Sequence, residues 1–130
     1  NYSDRKHGAR LGIFSNKVAD NVSPYSKPQE CGNKTDVRWF TVSNSTGNGL
    51  KISAKSTVEF SALPYTSHEL ENASHHYDLP NIHNTVLTIN KVQMGVGGDD
   101  SWGAPTHSEY LIPSNKSLEF EFCIEAFNIV

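Results

Sequence analysis

The chain has 130 residues, with 11 Lys and Arg against 14 Asp and Glu and a formal net charge of −3. That length allows one domain with a modest core. The lack of a basic patch or charge block argues against nucleic acid or an anionic membrane surface as partner. The longest apolar run falls far short of the ~20 residues that cross a bilayer. Two cysteines, Cys31 and Cys123, are too few for a disulfide framework and read as free thiols.

In chain order, residues 10–14 could form a brief strand, and residues 16–32 read as a long loop holding two prolines. Such a connection is usually functional or packed on a neighbour, with Val22 and Tyr25 as its natural anchors. Residues 36–43 are strand-like with both faces largely apolar, so Trp39 reads as core. Residues 44–49 make a turn in which Asn48-Gly49 is a hairpin signal. The following stretch alternates cleanly: Leu50, Ile52, Ala54, Val58 and Phe60 face one way, and Lys51, Ser53, Lys55, Thr57 and Glu59 the other. Thr66 with Glu69 forms a capping box, which starts a helix over residues 67–76 whose Leu70, Ala73 and Tyr77 share a face. Pro80 blocks its continuation.

Residues 85–92 read as a strand that feeds a glycine-rich bend, residues 92–103. There Gly95, Gly97 and Gly98 free the backbone for φ > 0, and Asp99 and Asp100 accept local N–H groups that tighten the turn. Trp102 follows just past the bend as a flat apolar ring at a corner. Two readings of it stay open: a platform for a sugar ring, or a side chain packing the bend against the sheet. Residues 110–112 can pair briefly, and residues 118–126 give a last alternating strand. Antiparallel strands with one short helix point to an all-β, antiparallel β-sandwich.

Other constellations carry less. Glu119 and Glu121 sit on the polar face of a strand, which places them in solvent, and Glu69 serves as a cap. His68, His75, His76 and His83 cluster, yet no Cys or carboxylate completes a tetrahedral set, so no metal site is expected. The bend lacks the Gly-Lys-Ser/Thr of a phosphate loop, and no Gly-x-Ser-x-Gly elbow occurs.

Met-Gly-Val-Gly-Gly-Asp-Asp-Ser-Trp, ending at Trp102, closely resembles the signature near the C-terminus of glycoside hydrolase family 2 β-galactosidases. Asn1-Tyr2-Ser3-Asp4-Arg5 resembles the family's Glu-Asn-Tyr-x-Asp-Arg motif without its first residue. Tyr25, Pro28, Glu30, Gly32 and Arg38-Trp39 match a second segment, and Pro64-Tyr65-Thr66 with Glu69-Leu70 and His75 a third. The resemblance spans almost the whole chain. It implies the small-chain, fifth-domain segment: about the C-terminal half of a β-supersandwich similar to galactose mutarotases. It assigns Trp102 to the aglycone side of the site, stacked on the glucose half of lactose; Asp99 and Asp100 beside it read first as turn residues and second as contacts to ligand or cation. It also places both catalytic glutamates in a barrel domain that this segment lacks, so no catalytic residue is expected here and the segment alone should be inactive. The magnesium and sodium ions of that family are bound elsewhere in the parent. Expected partners are a galactoside or glucose ligand, the remaining domains of the parent, and a second copy of the segment, since a half-domain leaves strand edges and apolar faces open. The alternative is an autonomous sugar-binding or structural sandwich module. The start at Asn1, which cuts a motif, favours the first reading.

Overall fold

The computed structural model describes residues 2–128, so Asn1 lies outside the described residues. Strands β1 (Lys34–Ser43) and β2 (Asn48–Leu63) precede helix α1 (Ser67–Asn72), strand β3 (Val86–Asn90) and strand β4 (Cys123–Asn128). All strand pairs are antiparallel, and among the described residues they form one four-stranded sheet. The fold is all-β with one short α-helix, a layer of the kind that a β-sandwich packs against another. β2 is its spine. β1 runs along one edge, while β4 pairs with residues 48–53 and β3 with residues 59–63 of the other.

The hairpin joining β1 to β2 turns on Asn44 rather than on Asn48-Gly49. The Asn44 side-chain oxygen accepts from the N–H groups of Thr46 and Asn48, each at 3.0 Å. Gly47 supplies the positive φ, +85°, that the turn requires. Asn48 and Gly49 are already in β2. Asp36 is the one described non-glycine residue with positive φ, 58°. It falls where the β1–β2 register shifts, and a short polar side chain tolerates that conformation.

The core gathers Phe40, Ile52, Val58, Ala62, Leu63, Leu70 and Ala73. Phe40 pairs across the strands with Ile52, and its ring stacks on Phe60 with centroids 3.7 Å apart. The opposite face of β1 is open. Trp39, expected in the core, is 48% exposed; it pairs with Ser53, next to the Thr41–Lys51 pair, on the sheet's polar side. Glu59 departs in the other sense: placed by alternation on the solvent face, it is only 5% exposed.

Other expectations are met in part. Residues 10–14 form no strand; both edges of β2 are occupied by β1, β3 and β4, and Leu11, Ile13 and Phe14 stand exposed. The loop over residues 16–32 is as expected apart from one 3-10 turn at Val18–Asn21. Val22 and buried Pro28 anchor it, whereas the Tyr25 ring is exposed. The capping box forms as expected, with Thr66 N–H donating to Glu69 Oε2 at 2.7 Å and Glu69 N–H to Thr66 Oγ1 at 3.2 Å. The Thr66 N–H and the Thr66 hydroxyl, both donating to Glu69 Oε2, lower the pKa of that carboxyl. The helix nevertheless stops at Asn72, because Ala73 turns extended. His75 N–H then donates to Asp78 Oδ2 at 2.9 Å and opens a separate 3-10 turn, which leaves Tyr77 exposed. The last strand begins at Cys123, not at residue 118. β2 changes register against β1 between Ser53 and Val58, so its backbone turns away just where residues 118–122 would pair. The Lys55–Glu121 ion pair, 3.6 Å, spans the two segments there.

Burial predicts a contrast within one cross-strand pair. Ile52 is 1% exposed and its partner Ile124 55%. Ile52→Ala should destabilise the chain by about 2–5 kcal/mol and Ile124→Ala by less than about 1 kcal/mol, read from urea unfolding midpoints at constant slope.

Candidate functional site: the bend at Trp102

Past Asn90, the last residue of β3, the chain is fixed by polar contacts. Gln93 N–H donates to the buried Glu59 carboxylate at 3.1 Å, and Asn33 Nδ2 donates to the same oxygen at 2.9 Å. One carboxylate thereby joins the start of the bend, the spine strand and the segment before β1. Gly95 N–H donates to the Tyr110 carbonyl at 2.8 Å, and the Gly95 carbonyl accepts from Thr106 Oγ1 at 3.2 Å. The brief pairing expected near residues 110–112 is this single bond.

Next comes the N-terminal segment. The Asp4 side chain, 3% exposed, accepts the N–H groups of Val96 and Gly97, each at 3.1 Å. Arg5 Nη1 lies 3.1 Å from the same carboxylate. Burial works against the Asp4 charge, but the Gly97 and Val96 N–H groups and the Arg5 guanidinium outweigh it, and its pKa is lowered.

The glycines are needed for this approach rather than for unusual φ. Gly103 is the only described glycine of the bend in the left-handed region. A Cβ on Gly95 would sit 2.8 Å from Asp4 Cγ and from Tyr110 Cβ, and one on Gly98 would sit 2.4 Å from the Ala104 carbonyl oxygen. At Gly98 the bend packs directly on the Ala104 and Pro105 backbone, and at Gly95 its backbone meets the Asp4, Thr106 and Tyr110 side chains, an approach that glycine permits.

At the tip the aspartates divide their work. Asp100 Oδ1 accepts from Trp102 N–H at 2.7 Å and Ala104 N–H at 3.3 Å, closing the turn as expected. Asp99 instead accepts from His107 Nε2 at 2.7 Å. The product is an indole 93% exposed on a backbone held on both sides. Asp99, Asp100 and Trp102 thus lie together at one exposed corner. A cleft of about 670 Å³ opens beside the root of the bend, with Tyr2, Asn33, Ser61, Asn90, Gln93 and Thr106 among its lining residues. None of the three corner residues borders it.

The remaining candidates have local partners. His75 stacks on Tyr77 with centroids 4.9 Å apart, His76 Nε2 donates to the Tyr25 carbonyl at 2.7 Å, and His68 Nε2 meets Asn72 Nδ2 at 3.0 Å. Among the described residues no three His, Cys, Asp or Glu side chains converge to hold a metal ion, and no helix is long and apolar enough to cross a membrane. Glu119 and Glu121 are exposed. Sequence reasoning missed Asp4 and Glu59 as organisers of the site. Glycines clustered without a positive-φ turn were the available signal for a close partner.

Comparison with known proteins turns this local geometry into a family. The pattern of the β-galactosidase small chain family matches residues 1–124. The chain belongs to that family. Similar proteins include a β-galactosidase of Halalkalibacterium halodurans, 51% identical over 125 residues, covering 95% of this chain and 12% of that protein. A β-galactosidase of Priestia megaterium is 49% identical over 125 residues, covering 96% and 12%. A β-galactosidase small subunit of Latilactobacillus sakei is 37% identical over 132 residues, covering 93% of this chain and 41% of that protein. The chain therefore spans 12% of the length of the first two relatives.

The Asp99 hydrogen bond, helped by the Asp99 and Glu109 charges, raises the His107 pKa above its ordinary 6.5. A raised imidazole pKa contributes stability in full below about pH 6.5 and loses it as pH rises through the higher folded value. Asp99→Asn should bring the His107 midpoint, followed by NMR of its ring protons, back down toward 6.5.

Proposed function

We propose that this chain is the C-terminal part of the supersandwich domain of a family 2 β-galactosidase, an enzyme that hydrolyses terminal β-D-galactosides such as lactose. In this reading Trp102 is the platform for the aglycone sugar, Asp99 and Asp100 border the same ligand, and the catalytic glutamates belong to the rest of the polypeptide. The observation that carries it is the 93% exposed indole on a loop closed by Asp100. A ring of that size left in water on a fixed backbone offers a flat, electron-rich face, and the C–H face of a pyranose lies well against one. Family membership supplies the galactosidase context.

The exposed apolar residues on the sheet and in the segment before β4 fit the same reading. Leu50, Ile124, Leu118 and Phe120 are all exposed large apolar side chains. The remaining β-galactosidase polypeptide would cover them, and in its absence a second copy of the chain would do so. The resemblance to a small subunit adds an arrangement in which this segment sits on a separate chain, since it makes up 41% of that protein.

An indole covering about 60 Å² of sugar stabilises the contact by roughly 1.5 kcal/mol at ~25 cal/mol per Å², close to a tenfold effect. In the β-galactosidase polypeptide that carries this segment, Trp102→Ala should lower kcat/KM for lactose about tenfold. It should change kcat/KM for methyl β-D-galactoside, whose aglycone is too small to stack, by less than about twofold. Unchanged lactose kinetics would remove the platform role.

A further inference from the structure

We infer that Asp4 is a positioning residue for Trp102, setting aglycone preference from a site in the N-terminal segment that touches no sugar. This rests on the platform reading above and adds a residue to it.

The Asp4 carboxylate reaches across 92 residues of sequence to Val96 N–H and 93 to Gly97 N–H. Two adjacent backbone donors on one buried carboxylate fix the direction of the loop backbone at that point, because both peptide planes must face the same oxygens. From there the constraint passes outward through contacts already described. Gly98 packs on the Ala104 and Pro105 carbonyls, and Ala104 N–H and Trp102 N–H share Asp100 Oδ1. The indole makes no packing contact that would hold it in place by itself, being 93% exposed. Its position is inherited from the backbone, and between Gly95 and Gly97 that backbone is held by Asp4, Thr106 and Tyr110. Of these, Asp4 alone binds by charge. Arg5 holds the carboxylate from its solvent side, with Nη1 also donating to the Asp4 carbonyl at 2.9 Å.

The test uses the β-galactosidase polypeptide that carries this segment, with Asp4→Asn, Asp4→Ala, Gly95→Ala and Trp102→Ala. Asparagine still offers one acceptor oxygen but no charge, alanine neither, and Gly95→Ala wedges the loop away while leaving the carboxylate intact. Hydrogen exchange followed by mass spectrometry should show residues 92–103 exchanging at least tenfold faster in the Asp4 and Gly95 variants, with β2 unchanged. The ratio of kcat/KM for lactose to that for methyl β-D-galactoside should fall at least threefold in Asp4→Asn and further in Asp4→Ala, in the direction of Trp102→Ala. Gly95→Ala should give the same fall by steric means, so the idea stays testable if the Asp4 variants do not fold. Equal losses on both substrates, or faster exchange with an unchanged ratio, would overturn the positioning role while leaving the platform standing. An unchanged ratio in Trp102→Ala would overturn both.

Discussion

The bend depends on a carboxylate that it does not contain. Asp4, near the start of the chain, accepts two consecutive N–H groups from the glycine-rich segment more than ninety residues later. Its charge strengthens those bonds, since an ionised carboxylate presents only acceptors to the two N–H donors. Around this contact the sequence loses its freedom in both directions. Gly95 must stay small because Asp4, Thr106 and Tyr110 lie where its side chain would go, whereas at Gly97 the end of the flexible Arg5 side chain occupies that place. In return the N-terminal segment is tied to a folded unit that it enters through no strand. Two short motifs, far apart in sequence, are halves of one structural element.

Glu59 repeats the device one layer deeper. Its carboxylate accepts from Asn33 and from Gln93 N–H, so the spine strand, the segment before β1 and the root of the bend meet at one group. A buried carboxylate with directed donors fixes register more sharply than apolar packing does, because a slip by one residue would strand a charge. Apolar side chains build the sheet around Ile52 and Val58, while two carboxylates orient the loops on it. The sheet decides that the corner exists, and Asp4 and Glu59 decide where it points.

Much of the scaffold was legible from local rules. Alternation over residues 50–60 marks β2, Thr66 with Glu69 marks the start of α1, and the glycine–aspartate run marks the bend. These signals are carried by residues within a few positions of one another, so the physics that produces them is visible in a short window. What escaped was long-range. Trp39 reads as core by its hydrophobicity, yet the register of β1 on β2 puts it on the polar side with Thr41 and Lys51. Glu59 reads as solvent-facing by parity, yet the segment before β1 and the root of the bend close over it. Residues 118–122 alternate as well as any strand, but their would-be partner bends away at its register shift. At the corner, Asp100 does what a turn aspartate does locally, whereas Asp99 turns to His107, eight residues on, and no short-range rule could choose between them.

The length of β2 bears on the order in which the fold is assembled. Its pairing with β1 closes a turn of a few residues, and its pairing with β3 a modest connection. Its pairing with β4 joins Ser53 to Cys123, 70 residues apart. Ordering so much chain carries the larger entropic penalty, which places docking of β4 last. Until then the first part of the spine stands with bare amides and carbonyls along one side. A ribosome-bound chain at that stage is a template for strangers, and the wait ends only when β4 emerges.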